Sequence, residues 1–137
     1  MEWTNVSVSP EDLLEIAKEA GKSAYAPYSG FKVGAAVLSE KGQIVTGSNI
    51  ENISYSLSVC AERNALSSFI HKKMGKPYAI AIAAEMGGEC FPCGACRQFL
   101  YEFNPHMLIV IYSSEGPVIY SLSEMLPHPF IPNPDPE

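Results

Sequence analysis

The sequence predicts an α/β fold, a mixed five-stranded sheet with helices on both faces. Three observations carry that expectation. A hairpin pattern surrounds Glu40-Lys41-Gly42, two nearly continuous apolar runs occupy residues 78–84 (YAIAIAA) and 107–112 (MLIVIY), and helix-periodic segments alternate with those runs. With 137 residues and 47% hydrophobic content, the chain has enough apolar mass for one core and little for a second. Residues 1–137 therefore read as one domain, with a proline-rich tail from about Pro127.

Ser9-Pro10-Glu11-Asp12 marks a helix start: Ser9 suits the N-cap, Pro10 the first helical position, and the two acids face the positive helix end. Leu13, Ile16, Ala17, Ala20 and Ala24 follow at spacings of three and four, an apolar stripe that ends near Tyr25. Ala26-Pro27-Tyr28-Ser29-Gly30 then reads as a turn. Residues 31–39 (FKVGAAVLS) form the first expected strand and 43–48 its hairpin partner. Gly34, Ala35 and Ala36 leave room for close packing over that strand, and the first helix is the natural candidate to fill it.

Residues 49–58 (NIENISYSLS) are too polar for regular structure and deliver the chain to a helix over about 60–72, with Ala61, Leu66 and Phe69 among its apolar positions. Gly75-Lys76-Pro77 ends that helix, and the apolar run at 78–84 reads as a strand buried on both faces. A further helix is expected from Pro92 and Cys93 to about Phe103, then a buried strand at 107–112 and a short one at 118–121. Beyond it, Pro127, Pro129, Pro132, Pro134 and Pro136 exclude helix and central strand.

Composition narrows the function. A net charge of −6, with nine scattered Lys and Arg residues, argues against a polynucleotide substrate, which needs clustered basic side chains. The start of the chain has no signal-peptide pattern, and no apolar run approaches the roughly 20 residues of a membrane helix. A soluble, cytoplasmic protein is expected, in which four cysteines serve as metal ligands or reduced thiols rather than disulfides.

Those cysteines fall in two stretches, Val59-Cys60-Ala61-Glu62-Arg63 and Phe91-Pro92-Cys93-Gly94-Ala95-Cys96-Arg97. Cys93 and Cys96 lie three apart at a helix start, where both sulfurs share one face. Such a pair alone fits a redox dithiol or half of a structural zinc site. Cys60 adds a third thiolate and leaves one corner of a zinc tetrahedron open, unless Cys90 fills it and closes the site. Glu62, in the first turn of the Cys60 helix, gains a role beside an open corner: moving a proton from water to a substrate. Three thiolates around a dication leave a net negative charge, which Arg63 beside Cys60, Arg97 beside Cys96 and two helix N-termini are placed to offset.

Together these residues resemble the small cytidine deaminases, the homotetrameric three-cysteine branch of the zinc deaminase family. The likeness runs in order through Tyr25-Ala26-Pro27-Tyr28-Ser29, Phe31, Val33-Gly34-Ala35-Ala36, Asn49-Ile50-Glu51-Asn52, Ser54-Tyr55, Cys60-Ala61-Glu62-Arg63 and Pro92-Cys93-Gly94-Ala95-Cys96-Arg97-Gln98. It implies the three-layer α/β/α fold of that family and one Zn2+ per chain, held by Cys60, Cys93 and Cys96. It further implies hydrolysis of cytidine and deoxycytidine at C4, with Glu62 carrying protons to ring N3 and then to the departing amine. By the same resemblance Phe31 packs on the base, Asn49 and Glu51 hold the ribose hydroxyl, and backbone around Ala61 and Cys93 reads the pyrimidine edge. Tyr55 and Phe130 reach a neighbouring subunit's pocket in a homotetramer with shared sites. Two departures stand out, Phe91 where a serine is frequent and the extra thiol of Cys90. A blasticidin S deaminase shares the Cys-Ala-Glu and Pro-Cys-x-x-Cys elements, and a zinc-stabilised nucleoside-binding module is the reading from a different class.

Overall fold

Helix α1, Pro10–Ala20, begins as the sequence dictates: the Ser9 hydroxyl accepts from the Asp12 amide at 3.1 Å and Pro10 occupies the first turn. The computed structural model describes residues 2–5 and 7–132. Leu13, Leu14 and Ala17 form the buried face of α1. The expected stripe omitted Leu14 and ran on to Ala24, but the helix stops at Ala20 and tightens into a 3-10 turn over Gly21–Ser23.

Five strands follow: β1 (Val33–Ser39), β2 (Ile44–Ser48), β3 (Pro77–Ala84), β4 (Leu108–Ser113) and β5 (Gly116–Ser121). They lie in the order β2-β1-β3-β4-β5. The β3–β4 pair is parallel and the other pairs are antiparallel, giving the mixed sheet expected. Three further helices are α2 (Ala61–His71), α3 (Gly94–Phe103) and the short α4 (Leu122–Met125).

Strand side chains alternate between two cores. Ala36, Leu38, Ala79, Ala81, Leu108 and Val110 pack with Leu13, Leu14 and Ala17 of α1. Val37, Ile80, Ile82, Ile109 and Ile111 pack on the other face with Leu66 and Phe69 of α2 and Leu100 of α3. Burial on both faces is why β3 and β4 read as unbroken apolar runs. Glycine sets how closely the layers approach. A Cβ on Gly34 would lie 1.9 Å from the Ala17 carbonyl oxygen, so α1 is indeed what fills the space over β1. On the opposite face, a Cβ on Gly47 would lie 2.5 Å from the Ala65 amide nitrogen, which seats α2 against β2.

Several boundaries differ from expectation for physical reasons. Cys60 and Cys93 cap α2 and α3 from outside rather than lying within them. The first strand begins at Val33, because Phe31 and Lys32 belong to the loop that Asn49 pins. Helix α4 was not foreseen, although Ser121 and Glu124 form a capping box around its start. Residues 133–137, with Pro134 and Pro136 of the expected tail, lie outside the described residues. Among the described residues no helix is long and apolar enough to cross a membrane.

Candidate metal centre and active site

The site forms where α2 and α3 begin. Cys60 and Cys93 are the N-caps of the two helices, and their carbonyls accept the first intrahelical bonds, from Asn64 and Arg97 at 3.1 and 2.9 Å. Neither cysteine spends its side chain on capping. Cys96 sits two residues into α3 and is buried. The three sulfurs all lie within 4.8 Å of one another, with Cys60 and Cys93 4.0 Å apart. A tetrahedral zinc with Zn–S bonds of about 2.3 Å places its sulfurs roughly 3.8 Å apart, so the donor set fits that ion with a fourth position open.

Hydrogen bonding from Cys96, then the Arg63 guanidinium, draws the Cys60 thiol down to about 5, while the Cys60 sulfur and burial hold Cys96 protonated. Three sulfurs this close do not share negative charge without a cation. Arg63 donates from Nη2 to the Cys60 sulfur at 3.7 Å, and its buried Nε has no partner. The expected role of Arg63 therefore has a geometric basis. Arg97 is different: its Nε donates to the Pro92 carbonyl at 2.8 Å and its Nη1 to the Met125 carbonyl at 3.0 Å. It braces the loop before Cys93 rather than compensating the sulfurs.

Glu62 is 5% exposed, the one charged side chain that is buried among the described residues. Burial raises its carboxyl to about 7; the Cys60 charge pushes the same way, and its own amide, Cys96 and Arg63 act against the rise. A cavity of about 170 Å³ opens onto this group, with walls that include Phe31, Asn49, Ala61, Glu62, Cys90 and Phe91. Cys90 stays outside the three-sulfur cluster, which leaves the site open. Burial, then Glu62 and Cys60, raise the Cys90 thiol to about 11, so it is a neutral wall residue. Cys90 and Phe91 were legible as residues of the active-site loop, but nothing in their spacing marks them as cavity lining.

The remaining residues divide between two places. Asn49 lines the cavity and pins its rim, accepting from the Val33 amide and donating to the Phe31 carbonyl, both at 2.9 Å. Glu51 lines a neighbouring depression with Tyr28, Ser29, Tyr55 and Ser58. Its carboxylate accepts from the amides of Tyr28 and Ser29 at 3.0 and 3.1 Å and from the Ser29 hydroxyl. The Ser29 hydroxyl is the main reason its pKa is lowered. Ile50 bridges both Tyr25 and Val59, so residues 49–51 are extended and alternate side chains leave on one face. Tyr55 is 73% exposed with its ring 6.0 Å from that of Tyr28, and Phe130 is 77% exposed. Neither lines the cavity of its own chain.

An open three-thiolate metal site with a buried carboxylate beside it defines a zinc-dependent hydrolase rather than a structural zinc module. Residues 7–112 match the family model described as the cytidine and deoxycytidylate deaminase zinc-binding region. A cytidine deaminase of Sporosarcina psychrophila is 40% identical over 122 residues, 88% of this chain and 90% of that one. The crystal structure of cytidine deaminase from Burkholderia pseudomallei superposes with a TM-score of 0.80 at 42% identity, covering 86% of this chain and 96% of that one. The enzyme from Mycobacterium tuberculosis gives 0.78 at 38% identity, covering 88% and 95%. The chain belongs to the cytidine and deoxycytidylate deaminase family of zinc enzymes.

Proposed function

We propose that this protein, acting as a single domain, hydrolyses cytidine and deoxycytidine to uridine and deoxyuridine with release of ammonia, a step of pyrimidine salvage. The observation that carries this reading is the buried Glu62 carboxylate beside three converging cysteine sulfurs, at the floor of a cavity walled by aromatic and apolar groups.

Cys60, Cys93 and Cys96 would hold the zinc ion, which when bound would supply the Lewis acidity that lets water react near neutral pH. Glu62 takes a proton from the attacking water and delivers it to ring N3; a second transfer through the same carboxyl reaches the leaving amine. Burial favours its protonated form, as suits a group that must donate as well as accept a proton. Phe31 offers its ring to the base, and the free amide of Ala61 at the start of α2 offers a donor to the pyrimidine edge. Asn49 retains one N–H and one lone pair after pinning the rim, and with Glu51 it holds the sugar hydroxyl as donor and acceptor.

The protein acts as a homotetramer in which Tyr55 and Phe130 complete the site of another copy. Support comes from the exposed apolar side chains Ile53, Tyr55 and Leu57, close together along the chain, and from the exposed Phe130. A cytoplasmic location is supported by three thiols committed to a metal.

The test is to purify the protein, measure zinc per chain and follow loss of cytidine absorbance. One zinc per chain with turnover of cytidine and deoxycytidine is expected. Zinc without turnover would leave only a nucleoside-binding module, and turnover of blasticidin S in preference to both nucleosides would reassign the substrate.

A further inference from the structure

We infer that Gln98 is a positioning residue for Phe130, fixing the backbone of the C-terminal segment on α3, the helix that carries Cys96 and is capped by Cys93. The inference rests on the reading above that Phe130 closes a site.

The side-chain amide of Gln98 makes two bonds to one residue. The Phe130 N–H donates to Gln98 Oε1 at 2.8 Å, and Gln98 Nε2 donates to the Phe130 carbonyl at 3.1 Å. A reciprocal pair of this kind copies the exchange between facing residues of two antiparallel strands, so it fixes orientation as well as distance. The segment needs such a device. Residues 127–132 (PHPFIP) include three prolines, so only His128, Phe130 and Ile131 have an N–H to offer. No strand or helix covers them.

Position along α3 gives the clamp its consequence. Gln98 lies two residues beyond Cys96, and its neighbour Arg97 holds the Met125 carbonyl at 3.0 Å and the Pro92 carbonyl at 2.8 Å. Consecutive side chains of one helix thus grip the segment at Met125 and Phe130, while Arg97 ties the same helix to the loop before Cys93. The clamp engages the Phe130 backbone and leaves the residue 77% exposed. An aromatic side chain presented on a fixed backbone loses less freedom when it is covered than one on a loose chain.

The experiment compares Gln98→Leu, Gln98→Glu, Phe130→Ala and the Gln98→Leu/Phe130→Ala double variant in the zinc-loaded full-length enzyme. KM and kcat are measured with cytidine, and exchange of the Phe130 amide is followed by NMR with 15N-labelled phenylalanine. Gln98→Leu should expose the Phe130 amide to exchange and raise KM about tenfold, the scale of two ordinary hydrogen bonds. Zinc content and kcat should hold. The double variant should be no worse than Phe130→Ala alone, and Gln98→Glu, which keeps the acceptor half, should fall between. A Phe130 amide still protected in Gln98→Leu, or additive KM effects in the double variant, would overturn the proposal. If Gln98→Leu exposes the amide while Phe130→Ala leaves KM unchanged, the clamp stands and the role of Phe130 in the site is what fails.

Discussion

Arg63 reaches back one turn of its own helix to place a guanidinium N–H 3.7 Å from the Cys60 sulfur. The contact joins a fixed positive charge to the ligand that caps α2, where three thiolates would otherwise leave a zinc site with surplus negative charge. Groups that hold a metal ligand in this way typically contribute about 10- to 100-fold in metal affinity or activity. Arg63→Gln should therefore lose zinc to a competing chelator more readily and lower kcat/KM by that order. Equal zinc retention and equal activity would show that the contact is incidental.

Cys90 separates an open site from a closed one. Cys90→Ala should keep one zinc per chain, because its sulfur is outside the ligand cluster, whereas Cys93→Ser should lose most of the metal. Metal analysis of the two purified variants decides this. Zinc lost from Cys90→Ala would put a fourth thiolate on the ion.

The seat of α1 on β1 depends on the absence of one methyl group. In Gly34→Ala the new Cβ meets backbone, 1.9 Å from the Ala17 oxygen and 2.4 Å from the Gly21 nitrogen, so the helix itself must move. Such overpacking costs about 1–3 kcal/mol or more. Urea denaturation should show a lower midpoint at an unchanged slope; wild-type stability would refute the packing described.

How much was legible in the sequence depended on how locally each feature is determined. The runs in β3 and β4 announced themselves because burial on two faces removes polar residues from a strand. The convergence of Cys60, Cys93 and Cys96 was legible because zinc chemistry restricts residue type and spacing together. Helix ends were harder: Cys60 and Cys93 lack the oxygen of an ordinary N-cap, so nothing in their residue type marked them as caps. The box formed by Ser121 and Glu124 was present in the sequence, but α4 is a single turn with no periodicity to reveal it. Side-chain direction was beyond reach. Adjacency to Cys96 suggested that Arg97 faces the sulfurs, and only the fold shows it turned toward Pro92 and Met125. The Ser29 hydroxyl and the loop amides that occupy Glu51 lie more than twenty residues away in sequence.

Tyr112 offers a pH test away from the metal. Its hydroxyl donates to Glu15 at 2.7 Å, joining β4 to α1, and burial followed by that bond raises its pKa from 10 to about 12. The folded state holds this proton more tightly than the unfolded one. The contribution is complete below pH 10 and is lost as pH rises through 12. Tyr112→Phe should thus lose less stability than wild type across that window in matched denaturation curves. Parallel curves would mean that the hydroxyl is not coupled to folding.

Glu62 gives the most direct test of the proposed chemistry. Zinc per chain and the rate of cytidine deamination should be measured on the same preparations of wild type and Glu62→Gln. Zinc content should be equal in the two, with turnover reduced about 10² to 10⁴-fold, the usual contribution of a proton-transfer group. Undiminished turnover in Glu62→Gln with its zinc in place would contradict the assignment of Glu62 as the group that moves the protons.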